Sequence, residues 1–461
     1  MTTSTTQGEP SMSPVSDHPA ALGDLSAIFA RRRIAAGIDS NGHVVLARPD
    51  SLVIEVGEGA ELESIRRRVL SSDRAKQIVN VDETSSAGVI TVRLQVTNPT
   101  TINRETRWSL STANDVRDSL ARAGVDAELN HVFLGAQTVT GNPLGAPATW
   151  AGEMAFTGKT VTTNGVTTML TTAEPTVPPA FLREPLRIDK FGQPKVLVLD
   201  TGLRTENGAG TKVEHTALDC CAIHAGWVNK GPGVTDDEDE PDDDATGTLD
   251  FEAGHGTFIS GVIRQLCPDA HIDTAGVLSS FGDGDVSGVL AAFERMVTDF
   301  GPYDIVVMSF GSFFADDDPG AFGTALMTLL GDALGVAAAG NQATCRPYFP
   351  AGLSDVISVG GLAADGKAWF SNFGGWVDAC APAVDVVSTF FEDFTEMIDR
   401  KEHRHYDGWA RWSGTSFSAP KVAAVIAQEM YLNQVTAKEA WKRVTSHKHL
   451  RYPDLGIVFN V

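Results

Sequence analysis

The segment 194–199 reads Pro-Lys-Val-Leu-Val-Leu and runs directly into Asp200. Four consecutive apolar residues leave no polar face for water, so a strand of this kind must be covered on both sides. Short, strongly apolar runs return at 272–278, 305–308, 336–339 and 356–359. Stretches with helical spacing lie among them at 288–297, 321–334 and 418–432. This alternation restricts residues 188–461 to an α/β fold, a parallel sheet with helices on both faces.

The first 137 residues read differently. Residues 1–40 form an N-terminal segment expected to be disordered, its first 22 residues rich in Ser, Thr and Pro without periodicity. Residues 41–137 read as a small α+β domain. Strands are expected at 43–47 and 52–56, joined or interrupted near Pro49, then at 78–81, 89–96 and 129–134, with helices at 62–70 and 114–123. The order is β-α-β-β-α-β, a ferredoxin-like arrangement. Residues 138–187, full of Thr, Gly and Pro, read as a linker or an irregular segment wrapping the large domain.

A formal net charge of −23 argues against a nucleic-acid partner, since no basic stripe offsets phosphate repulsion. No run approaches the roughly 18 apolar residues that a membrane helix needs, and the N-terminus lacks a basic stretch followed by an apolar core. The expectation is a cytoplasmic protein with no membrane partner. Five cysteines and no Cys-x-x-Cys pair make a zinc site improbable.

Residues 414–420 read Gly-Thr-Ser-Phe-Ser-Ala-Pro and place Ser416 between a tight turn and a helix start. A nucleophilic hydroxyl gains there from exposure and from nearby backbone N–H groups. Asp200 closes a strand, where the crevice of a parallel sheet lies. His255, in Gly-His-Gly-Thr, opens a helical run and carries the side chain suited to proton transfer near neutrality. Asn341 follows Ala-Ala-Ala-Gly and offers an amide to a developing oxyanion. Acid, base, oxyanion donor and nucleophile are thus all present, with Asp, His and Ser in one of the chain orders known for triad chemistry.

These four segments resemble the subtilisin-like serine peptidases, or subtilases. The resemblance implies catalytic roles for Asp200, His255, Ser416 and Asn341. It also implies an extended peptide held between Ser309-Phe310-Gly311 and the Gly282-to-Gly284 edge, with Ala338, Ala339 and Gly340 walling the specificity pocket. Residues 370–374 and Pro382 match structural segments of the family. The N-terminal domain resembles the family's propeptides, which implies an intramolecular inhibitor and self-cleavage shortly after 134–137. A Cys345–Cys380 disulfide is conceivable by resemblance, and a reducing cytosol argues against it.

The expected function is a serine endopeptidase acting on protein or peptide substrates without a required cofactor. The alternatives are a silent peptide-binding module on the same scaffold, or an esterase or transpeptidase. From 236 to 244 eight of nine residues are acidic. This run is expected to be a solvated, mobile insertion; a Ca²⁺ site is possible but not predicted, and a field favouring basic substrates is a third option.

Overall fold

The computed structural model describes residues 29–56, 62–82, 88–96, 99–102, 105–135, 159–163, 166–171, 192–204, 213–218, 221–223, 239, 241–242, 245, 247, 249–397, 402–406, 408–446 and 450–461. The large sheet runs Cys221–Ile223, His271–Gly276, Lys195–Asp200, Ile305–Met308, Leu334–Ala338, Val356–Ala363, Ala379–Pro382, Gly456–Val458 and Arg451–Tyr452. The pairings from Cys221–Ile223 through Gly456–Val458 are parallel.

Both faces of this sheet are dry. Val196 and Val198 join one core with Phe258, Ile259, Val422 and Ala423 of the helices His255–Leu266 and Ser418–Asn433. Leu197 and Leu199 point the other way, into a core with Val289, Phe293, Phe322 and Leu326 of the helices Val286–Phe300 and Gly320–Leu330. The period-2 alternation of side chains therefore demands apolar residues at every position, which is the pattern the sequence carries.

In the N-terminal region, Val44–Glu55, Ile78–Val81, Val89–Leu94 and Glu128–Gly135 form a sheet in the order Glu128–Gly135, Val44–Glu55, Val89–Leu94, Ile78–Val81. Ile65, Val69, Val116 and Leu120 of the helices Leu62–Leu70 and Ser111–Arg122 pack with Leu52, Ile54 and Ile90 of the strands. Pro49 does not split the first strand, which is continuous over Val44–Glu55. Its register against Glu128–Gly135 shifts between Ala47 and Leu52, and this irregularity accommodates a residue without an N–H.

Two expectations are corrected. The segment up to residue 40 is not wholly disordered, because Ala35–Ile38 pairs with Val44–Glu55 and both Ile34 and Ala35 are buried. Nor is 138–187 only a linker. Lys159–Thr163 and Val166–Thr171 form a hairpin that continues in parallel onto Glu402–Tyr406. The Thr and Val of this stretch carry strand propensity that the surrounding Gly and Pro mask.

The Glu128–Gly135 strand belongs to more than its own sheet. It pairs antiparallel with Asp283–Asp285, setting Val132, Phe133 and Leu134 opposite Asp285, Gly284 and Asp283. It also pairs antiparallel with Phe310–Gly311, setting Leu134 and Gly135 opposite Gly311 and Phe310. The last strand of the N-terminal sheet is thus inserted between two edge segments of the large domain.

Candidate active site

Asp200 is the final residue of the strand Lys195–Asp200 and is fully buried. Its Oδ1 accepts from the Thr201 backbone N–H at 2.8 Å and lies 2.7 Å from Nδ1 of His255. His255 opens the helix His255–Leu266. Glycine is needed on both sides of it. Gly254 has φ +82°, and a side chain there would meet the Phe390 ring; a Cβ on Gly256 would lie 2.9 Å from the Gly202 nitrogen. The Gly256 N–H donates to Thr201 Oγ1 at 2.9 Å, which fastens the helix start to the turn after Asp200.

The imidazole of His255 stands 5.5 Å from the Trp412 ring and 5.4 Å from the Phe417 ring, centroid to centroid. Burial alone would push it toward the neutral form. The Asp200 carboxylate, followed by that of Glu252, overrides burial and lifts it to about 9. Glu252 Oε2 is 3.8 Å from Nδ1. Asp239 also lies near, but burial drives its own carboxyl well above the ordinary range, so Asp200 and Glu252 carry the effect.

Ser416 sits in the 3₁₀ turn Thr415–Phe417, directly before the helix Ser418–Asn433. Its Oγ donates to the Ser309 carbonyl at 3.3 Å, and Ser309 Oγ donates back to the Ser416 carbonyl at 2.9 Å. His255 Nε2 has no hydrogen-bond partner among the described residues. Asn341 Oδ1 accepts from Thr415 N at 2.9 Å and from Thr415 Oγ1 at 2.8 Å. Two donors on one atom fix the amide orientation, and Nδ2 is left without a partner among the described residues. The Gly340 N–H donates to Thr415 Oγ1 at 3.1 Å, so the turns carrying Asn341 and Ser416 are joined.

Phe310 and Gly311 pair with the inserted strand on one side. On the other, Gly284 pairs with it and the Gly282 carbonyl accepts from the Gly135 N–H at 2.8 Å. Ser309 lies just beyond the paired residues and contacts Ser416 instead. Ala338 and Ala339 are fully buried where the strand Leu334–Ala338 ends. Asn372 holds this turn, donating to the Ala339 carbonyl at 2.8 Å and accepting from Gln342 N at 2.9 Å, which makes it structural as expected.

Composition and spacing do not reveal several residues at the site. Phe133 of the inserted strand is buried against Phe310, Phe322 and Phe314 at centroid distances of 5.3, 4.8 and 6.0 Å. Arg32 and Arg48 reach Asp283 at 2.7 and 2.9 Å, and Arg48 also reaches Asp285 at 3.0 Å. Glu128 Oε1 accepts from Ala321 N at 2.9 Å, at the start of Gly320–Leu330. Asn130 Oδ1 accepts from Ser287 N at 3.2 Å, in the first turn of Val286–Phe300. Glu252, three residues before His255, had a signal in its proximity to that motif.

The acidic run is not simply solvated. Asp239 is 0% exposed and its Oδ1 accepts from Gly254 N at 3.0 Å, while Asp242 Oδ2 accepts from Gly247 N at 2.6 Å. Residues 236–238, 240, 243 and 244 lie outside the described residues. Cys345 is exposed and Cys380 buried, and both are free thiols rather than a disulfide. The side chains of Cys220 and Cys221 lie outside the described residues.

Residues 192–455, more than half of the chain, match the model of the subtilase family. The chain belongs to the subtilase family. Among curated subtilase relatives, proteinase R of Parengyodontium album is 29% identical over 201 residues, covering 41% of this chain and 48% of the relative. The thermophilic serine proteinase of Bacillus sp. (strain AK1) is 28% identical over 249 residues, covering 50% and 51%. The intracellular serine protease of Paenibacillus polymyxa is 28% identical over 239 residues, covering 48% and 66%. The chain thus spans about half to two thirds of the length of these relatives. A solved cold-adapted subtilisin-like serine proteinase aligns with a TM-score of 0.44 and 22% identity, over 60% of this chain and 94% of that one. Among the described residues no helix is long and apolar enough to cross a membrane.

Proposed function

We propose that the chain is a serine endopeptidase whose N-terminal domain blocks its own substrate cleft. The observation that carries this reading is the strand Glu128–Gly135, hydrogen-bonded on both sides by segments of the large domain and ending against Glu252, whose carboxylate lies 3.8 Å from His255 Nδ1. An extended peptide added between two strand edges is how a substrate backbone is held. The family membership and the serine proteinases among its relatives point to the same chemistry.

In the proposed mechanism Ser416 Oγ leaves the Ser309 carbonyl and donates to His255 Nε2. The imidazole takes the proton as Oγ attacks the scissile carbonyl. Asp200 holds Nδ1 and stabilises the imidazolium. Asn341 Nδ2, with the Ser416 backbone N–H, receives the negative oxygen of the tetrahedral intermediate. His255 then protonates the leaving amine, and water returns the enzyme through the same steps.

We read the N-terminal region as a ferredoxin-like, propeptide-type domain. Its strand order supports this, as do Glu128 and Asn130, each accepting from a helix start of the large domain. A cytoplasmic setting agrees with the similarity to the intracellular serine protease of Paenibacillus polymyxa. The test is hydrolysis of a denatured protein substrate by native chain and by Ser416→Ala, with products sequenced. Cleavage by the native chain alone supports the reading. Peptide capture with no cleavage by the native, processed chain identifies a binding module instead.

A further inference from the structure

Gly135, the last residue of the inserted strand, lies against Glu252. A Cβ added to Gly135 would stand 2.7 Å from Glu252 Oε2 and closer still to Cδ and Oε1. On the other side, a Cβ added to Gly282 would stand 3.0 Å from Glu252 Cβ and 3.1 Å from its Cδ. The Glu252 side chain therefore fills the space above two glycines that are themselves joined by the Gly135 N–H to Gly282 carbonyl bond.

Glu252 has little freedom to move aside. It is 1% exposed, and its backbone is held by bonds to the Ser280 carbonyl at 2.7 Å and from the His255 N–H at 3.1 Å. Its carboxylate faces the His255 ring at 3.8 Å. Swinging it away would take a buried carboxylate from its place beside the His255 ring.

We propose that Glu252 is a specificity-determining residue that admits only glycine at the substrate position held here by Gly135. The substrates selected are then peptides carrying Gly at that position, as Phe133-Leu134-Gly135 does. This rests on the proposed reading of the inserted strand as a substrate mimic.

The test has two arms, both on the full chain. In a Ser416→Ala background, Gly135→Ala is expected to speed amide exchange at residues 132–135 by about 10-fold or more, as overpacking predicts. Adding Glu252→Ser restores exchange to within about 3-fold of the parent by removing the clash. Glu252→Asp, shorter by one methylene, serves if the Ser variant does not fold, and restores part of the protection. In the active chain, a fluorogenic peptide containing Phe-Leu-Gly-Ala is expected to exceed its Phe-Leu-Ala-Ala counterpart in kcat/KM by about 10-fold or more. The ratio falls toward 1 in Glu252→Ser.

Unchanged exchange in Gly135→Ala, equal rates for the two peptides, or a preference for lysine at the glycine position overturns the proposal. If neither peptide is cut while the exchange arm behaves as stated, the peptidase reading fails and the fit between Glu252 and Gly135 stands.

Discussion

Arg48 of the N-terminal sheet ion-pairs with Asp283, the residue opposite Leu134 on the edge strand, at 2.9 Å with both side chains buried. The same guanidinium reaches Asp285 at 3.0 Å, and Arg32 joins Asp283 at 2.7 Å. Removing one partner from a buried ion pair typically costs about 3–5 kcal/mol, because the other charge stays buried without compensation. Arg48→Met is therefore expected to loosen the inserted strand. Amide exchange at residues 132–135 should accelerate by about 10-fold or more, with peptide hydrolysis rising in parallel. Unchanged exchange would mean the strand is held by its backbone bonds and Phe133 alone.

Glu128 gives the docked state a pH dependence. Burial raises its carboxyl from 4.5 to about 7; the Ala321 N–H opposes this, and the charges of Asp318, Asp126 and Glu55 add to it. A raised acid binds its proton more tightly when docked than when free. Between pH 4.5 and about 7 the docked state holds more protons, so docking weakens as pH rises through that window. Limited proteolysis of the Ser416→Ala chain across this range should show increasing release. Glu128→Gln, which keeps an acceptor for Ala321, should flatten the dependence. An equally steep profile in that variant would assign the effect to another group.

His255 should set the acid limb of activity. An imidazole lifted above 6.5 by Asp200 and Glu252 is neutral only at higher pH, so activity is lost as pH falls through the raised value. Glu252→Gln removes one of the lifting charges. The acid limb of kcat/KM is expected to move down by about one pH unit, measured on a peptide with glycine at the Gly135 position. A limb that stays in place would show that Asp200 alone raises the imidazole.

Asn341 separates structure from chemistry. Asn341→Asp keeps an oxygen for the Thr415 N–H and hydroxyl but loses the Nδ2 donor. Turnover is expected to fall by about 100-fold or more with little change in KM. A fall in thermal midpoint that accounts for the lost activity would instead mark Asn341 as structural.

The large sheet was legible because parallel strands buried on two faces must be apolar throughout, as Val196–Leu199 and Ile305–Met308 are. The Asp200–His255 contact was legible because each residue stands at an element boundary within two positions of a glycine. Pro49 left joined and interrupted strands equally open, because only the register shift seen in the fold lets one strand carry it. Asp239 was hidden in a run of like residues, since nothing local marks which acid turns inward to meet Gly254 N. Arg48, Phe133 and Glu252 act across separations of 117 residues or more, on Asp283, Phe310 and Gly135 respectively, and no local pattern encodes those meetings.

The central claim is that Ser416 is a nucleophile screened by the inserted strand. The direct measurement is the rate and position of fluorophosphonate attachment to the native chain, Arg48→Met and Ser416→Ala, mapped by peptide mass spectrometry. The account predicts one adduct, on Ser416, forming faster in Arg48→Met and absent from Ser416→Ala. An adduct on another residue, or equal labelling of Ser416→Ala, would contradict it.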